Sequence, residues 1–129
     1  MAVKFRAWDK KDKVMWSVAS LRFYEDGIVF SVDYWGSQQL PKTLDAEDVV
    51  LMQSTGLQDK NGKTYYEGDL VKWDDEIFQV KFDRYQFVLE WFYEPRQDAP
   101  YDFFSEGAYK DAEIIGNIYE NSNLLEEEE

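Results

Sequence analysis

The side chains best placed for chemistry in this sequence are carboxylates. Asp and Glu number 27 against 14 Lys and Arg, and several fall in short clusters. These are Asp45-Glu47-Asp48, Glu67-Gly68-Asp69 and Asp74-Asp75-Glu76, with Asp59 opening Asp59-Lys60-Asn61-Gly62. Neighbouring carboxylates can share general acid and base work, or hold a divalent cation through oxygen. The sequence contains neither His nor Cys. An imidazole base, a Ser-His-Asp triad and thiolate or imidazole metal ligands are therefore excluded. The enzymatic reading these clusters suggest is a hydrolase using Asp or Glu with a bound metal.

The clusters do not pass closer tests. A calcium loop needs Gly at its sixth position and a bidentate Glu at its twelfth. Counting from Asp59, Gly62 is fourth and Leu70 is twelfth, so the stretch reads as a turn built on Asn61-Gly62. In Glu67-Gly68-Asp69 the simple expectation is a turn with Gly68 at positive φ and Asp69 accepting backbone N–H groups. Gly56, Gly62 and Gly68 lie too far apart for a phosphate-cradling loop. The remaining acidic groups fit solvated turns. No catalytic, cofactor-binding or metal-binding residue is assigned, and no cofactor is expected.

Aromatic residues are the second candidate. The chain holds 5 Trp, 9 Tyr and 9 Phe. Trp73, Trp91, Phe92, Tyr93, Tyr101, Phe103 and Phe104 could stack bases, as small β-barrels do with single strands. Such a platform comes with a positive groove, whereas here Asp and Glu are interleaved and the net charge is −13. An acidic body repels phosphate backbones and anionic lipid, so direct nucleic-acid binding is disfavoured. Core packing or a protein interface suits the aromatics better. The candidate interaction surface is Trp73, Trp91, Tyr93, Tyr101, Phe103 and Phe104.

The elements that must carry these groups read as strands. Val3, Phe5 and Ala7 alternate with Lys4 and Arg6, which is strand period. Val14–Val18 returns after a polar turn. Leu21–Tyr24 and Ile28–Tyr34 flank Glu25-Asp26-Gly27, an Asp-Gly hairpin signal. Trp35–Lys42 reads as a loop. Thr43 is placed to cap one helical turn over Thr43–Asp48. Val49–Met52 reads as a buried strand, Leu70–Trp73 as another, and Phe78, Val80 and Phe82 alternate with polar neighbours. Phe87, Leu89, Trp91 and Tyr93 share a face. The segment 94–107 is irregular, with its aromatics folding back as a flap, and Glu113–Tyr119 closes as a strand around Gly116. The expected fold is mainly β with little helix. A meander over residues 1–48 precedes a small barrel over 49–125 and an acidic tail over 126–129.

Five segments together resemble the YopX-like family of phage and prophage proteins. They are Lys4-Phe5-Arg6-Ala7-Trp8-Asp9, Leu51-Met52-Gln53-Ser54-Thr55-Gly56-Leu57, Asp59-Lys60-Asn61-Gly62-Lys63, Tyr66-Glu67-Gly68-Asp69-Leu70-Val71 and Ile115-Gly116-Asn117-Ile118-Tyr119-Glu120-Asn121. The resemblance implies an SH3-like barrel in the second half and a phage or integrated-phage gene expressed in a bacterial cytoplasm. It carries over no functional residue. The shared segments are Gly, turn and core types, which fits folding constraints.

The absence of Cys suits a reducing cytosol. The N-terminus has no long apolar run, so no signal peptide is expected, and no apolar segment is long enough to span a membrane. The leading expectation is a non-enzymatic protein-binding or assembly module whose partner is a host or phage protein, with self-association as another form of it. The alternatives are an acidic nucleic-acid mimic that blocks a DNA-binding host protein, and a carboxylate- and metal-dependent hydrolase.

Overall fold

The computed structural model describes residues 4–35, 41–83, 86–91, 104 and 107–121. The chain is mainly β, and among the described residues the strands form two antiparallel sheets. It divides into two compact units, one over residues 4–53 and one from residue 54 onward.

The first unit contains β1 (Phe5–Asp9), β2 (Val14–Phe23), β3 (Val29–Trp35), β4 (Pro41–Asp45), a 3₁₀ turn (Ala46–Asp48) and the start of β5 (Val49–Gln58). The strands lie in the order β4-β3-β2-β1-β5. Ala7, Val32 and Val49 are buried at its core, with Val18, Leu21, Val29, Leu44 and Leu51 packed around them. Trp16 stacks on Tyr34 with ring centres 4.5 Å apart. Short β-branched and aromatic stretches broken by polar turns give this meander directly.

Two local expectations give way here. Val14–Val18 and Leu21–Phe23 belong to one ten-residue strand that stops just before Tyr24, because register shifts at Val18/Ser20 and Arg22/Phe23 absorb the irregular pattern. Thr43 does not cap a helix. It sits in β4 opposite Asp33 and donates its hydroxyl to that carboxylate at 2.5 Å. A cross-strand acceptor has outcompeted the local capping preference. The short 3₁₀ turn begins three residues later, with no side-chain cap from Asp45.

In the second unit, the latter part of β5 pairs with β6 (Thr64–Tyr66) around a bulge. Then β7 (Asp69–Trp73), β8 (Glu76–Asp83), β9 (Gln86–Trp91) and β10 (Glu113–Asn117) form a sheet in the order β10-β7-β8-β9. A 3₁₀ turn over Ala108–Asp111 precedes β10. Asp74 and Asp75 both have positive φ between the paired residues Trp73 and Glu76, which makes a two-residue hairpin loop of the mirror-image type that matches strand twist. The core is Tyr65, Val71, Phe78, Val80, Leu89 and Ala112. β10 ends at Asn117, and Ile118 to Asn121 form a turn, so the closing strand is shorter than the pattern suggested. Among the described residues no helix is long and apolar enough to cross a membrane.

Candidate functional site

Two of the carboxylates singled out above, Asp59 and Asp69, are held by backbone. Asp59 is 5% exposed. Its Oδ1 accepts the N–H groups of Asn61 and Lys63, both at 2.9 Å, and its Oδ2 accepts that of Ile114 at 2.9 Å. Burial pushes the Asp59 carboxyl upward, but the three N–H donors and the Lys63 charge outweigh it, leaving it below its ordinary value. Two further bonds close the same corner: Lys60 N–H to the Ala112 carbonyl and Asn61 Nδ2 to Glu113 Oε2. The loop from Asp59 to Lys63 is thereby fastened to the start of β10.

The next turn repeats the device. Tyr66 N–H donates to Asp69 Oδ2 at 2.8 Å, and Gly68 takes φ +87°. The Gly68 N–H reaches the Val80 carbonyl, and the Gly68 carbonyl accepts the N–H of Ile118. Asn117 Oδ1 accepts the N–H groups of Tyr119 and Glu120, while Asn117 N–H donates to Asn121 Oδ1. A Cβ on Gly116 would run into the Asn121 carboxamide. Three segments distant in sequence are thus tied by one polar clasp. Tyr65, fully buried beside it, donates its hydroxyl to the Tyr109 carbonyl at 2.7 Å. Burial, helped by the Asp59 and Asp69 charges, raises the Tyr65 phenol well above its ordinary value. A general base needs a free lone pair and a pKa near working pH. Asp59 has most of its lone pairs engaged and a pKa below the usual carboxylate range, and Tyr65 stays protonated.

The same holds in the first unit. Asp9 Oδ1 accepts the N–H groups of Asp12 and Lys11, which hold its carboxyl below the ordinary value despite burial. Asp33 receives the hydroxyls of Thr43 and Ser20 from its two neighbouring strands, with Arg22 Nε 3.4 Å away. Those hydroxyls, Thr43 first, lower its pKa, so it is a poor base for activating Ser20. Among the described residues no three carboxylates converge to hold a metal ion.

The available surface lies at the β2–β3 hairpin. Tyr24 N–H bonds to the Ile28 carbonyl and Gly27 N–H to the Tyr24 carbonyl, with φ +89° at Gly27 alone. This is a three-residue loop in which only the glycine is left-handed. Phe23, Tyr24 and Ile28 are 54%, 59% and 61% exposed. Tyr24 leans on Phe30 with ring centres 4.8 Å apart. Beside them is an open groove of about 430 Å³, lined by Tyr24, Val29, Phe30, Asp45, Ala46 and Glu47. An apolar cluster exposed at a hairpin tip contributes little to the core.

The aromatics singled out in sequence have other placements. Trp73 packs half-buried against the second core, 5.9 Å from Phe78. Phe104 packs there too, edge-on to Tyr65 at 5.4 Å. The backbone of Trp91 pairs with Phe78 in the β8–β9 ladder. Tyr93, Tyr101 and Phe103, with the segment 94–103 as a whole, lie outside the described residues. The hairpin residues were not singled out, although Phe23-Tyr24 and Ile28 flanking Asp26-Gly27 are large apolar groups where turns are ordinarily polar.

A family model described as YopX protein matches residues 4–126. Among solved structures, the chain resembles the crystal structure of protein EF1440 from Enterococcus faecalis. The two are 26% identical with a TM-score of 0.72, over 97% of this chain and 99% of that one. No curated protein matches the sequence.

Proposed function

The chain belongs to the YopX protein family, and from that premise we propose that it is a non-enzymatic protein-binding module docking through the β2–β3 hairpin tip. Its partner is a host or phage protein, met in the cytoplasm of a bacterium that carries the gene on a phage or prophage. The observation that supports this reading is the pairing of two facts. Asp59 and Asp69, the buried candidate carboxylates, accept backbone N–H groups, whereas Phe23, Tyr24 and Ile28 stand exposed together on a hydrogen-bonded hairpin. Large aromatic and aliphatic groups on a rigid turn make good interface anchors, because little rotamer freedom is left to lose on binding.

The test is affinity purification of a tagged copy from the host bacterium, in parallel with the triple variant Phe23→Ser, Tyr24→Ser, Ile28→Ser. The reading expects a protein recovered in constant proportion with the natural chain and lost with the variant. Equal recovery with both would move docking away from the hairpin. Size-exclusion chromatography of the pure chain separates self-association from capture of a different protein.

A further inference from the structure

We infer that the groove beside the hairpin takes a cationic side chain of the partner, arginine in preference to lysine. The inference rests on docking at the hairpin and names what that docking recognises. The groove has two kinds of wall. Tyr24 and Phe30 supply aromatic faces, both exposed and leaning on each other. Asp45 and Glu47 line the groove from β4 and the following 3₁₀ turn, which places two acidic residues at its edge. Both acidic residues are exposed, and neither takes part in an ion pair among the described residues.

Two lysines of the same unit are engaged otherwise. Lys10 Nζ donates to the Glu47 backbone carbonyl at 3.0 Å, leaving the Glu47 carboxylate free, and Lys11 lies 3.7 Å from Asp48. The chain carries a net charge of −13, so a basic partner is drawn in and a second copy of the chain is repelled.

A cation is attracted to an aromatic face within about 6 Å of the ring centre. A guanidinium is planar, so it can stack on a ring while its edge donates to carboxylates, and it is more weakly hydrated than an ammonium. The groove offers both surfaces at once. A phosphate or a carboxylate ligand would meet two negative charges there. A purely apolar side chain would leave both carboxylates without a partner in the complex.

The test uses three dye-labelled pentapeptides, Gly-Ser-Xaa-Ser-Gly with Arg, Lys or Gln in the centre, read by fluorescence anisotropy. The arginine peptide is expected to bind most tightly, lysine a few-fold more weakly, and glutamine at least tenfold more weakly than arginine. The variant Asp45→Asn, Glu47→Gln should weaken the arginine peptide about tenfold, as expected when close charge partners are removed. Tyr24→Ser should weaken it several-fold and narrow the gap between arginine and lysine. These positions are exposed, so folding is preserved, and the melting temperature checks it. Equal binding of the arginine and glutamine peptides, or arginine binding unaffected by the acidic variant, would overturn the inference. Absence of arginine binding at millimolar peptide would overturn it as well. A partner that the hairpin triple variant still loses would, in that case, leave docking at the hairpin standing.

Discussion

Both units tie carboxylates down with backbone or hydroxyl donors, but they differ in where their large apolar side chains lie. From residue 54 onward, several residues that look functional are consumed by the fold. Asp59 spends three acceptor bonds on backbone, Asp69 closes a turn, and Asn117 and Gly116 meet Asn121. Over residues 4–53, large apolar groups that could have filled a core stand outside it at the hairpin tip. The difference teaches that a dense run of recognisable motifs can mark where a chain is hard to fold. A binding surface can sit where no motif is visible. Loops held by backbone-accepting carboxylates are costly to change, whereas an exposed hairpin tip is free to vary with its partner.

The largest effect that would test this contrast is at Asp59. Replacing it with Ala leaves three N–H donors of a buried corner without their acceptor, and should cost about 4 kcal/mol. Urea unfolding followed by tryptophan fluorescence would show it as a midpoint lowered by more than 1 M for an m-value on the order of 2 kcal/mol/M. An unchanged midpoint would mean that the clasp is ornamental and free for other work.

Gly116→Ala comes next, at about 2 kcal/mol, because the new methyl group must displace the Asn121 side chain and with it the bond to Asn117. Adding Asn121→Gly should recover part of that loss, since the obstruction goes with it. A double variant as unstable as the sum of its parts would place the cause elsewhere.

Acid should separate the roles further. Asp59 and Asp9 are held below their ordinary carboxyl value of 3.8 when folded. Their contribution is therefore fully present above that value and is lost as pH falls through it toward the folded-state pKa. Melting temperature should fall steeply below about pH 4, and the fall should be shallower in Asp59→Asn, which has no proton to take up. A natural chain and variant with parallel pH profiles would count against ionised Asp59 as a structural group.

The smallest effect on stability belongs to the hairpin. Tyr24→Ser should shift unfolding by no more than about 0.5 kcal/mol, as exposed substitutions do, while still weakening partner binding several-fold.

Much of the fold was legible because its signals are local. Asp26-Gly27, Asn61-Gly62, Glu67-Gly68-Asp69 and Asp74-Asp75 each mark a turn that exists, and the alternation through Phe78 and Val80 marks a buried strand face. The failures were non-local. Nothing near Thr43 announces that Asp33 will face it from the next strand. Nothing near Asp59 announces Ile114, 55 residues away. The hairpin surface was missed for a related reason. A register shift at Arg22/Phe23 breaks the two-residue period just before the tip, so inward and outward residues there cannot be told apart by counting.

The most direct test of the contrast between a clasp and a docking tip is a ¹⁵N–¹H NMR titration of the natural chain with the arginine pentapeptide. It reads the amides of both regions in one experiment. Shifts should gather at Tyr24, Val29, Phe30, Asp45, Ala46 and Glu47, while Asn61, Lys63, Tyr66 and Ile114 stay in place. Shifts gathering at those last four amides, with the hairpin unmoved, would contradict the account.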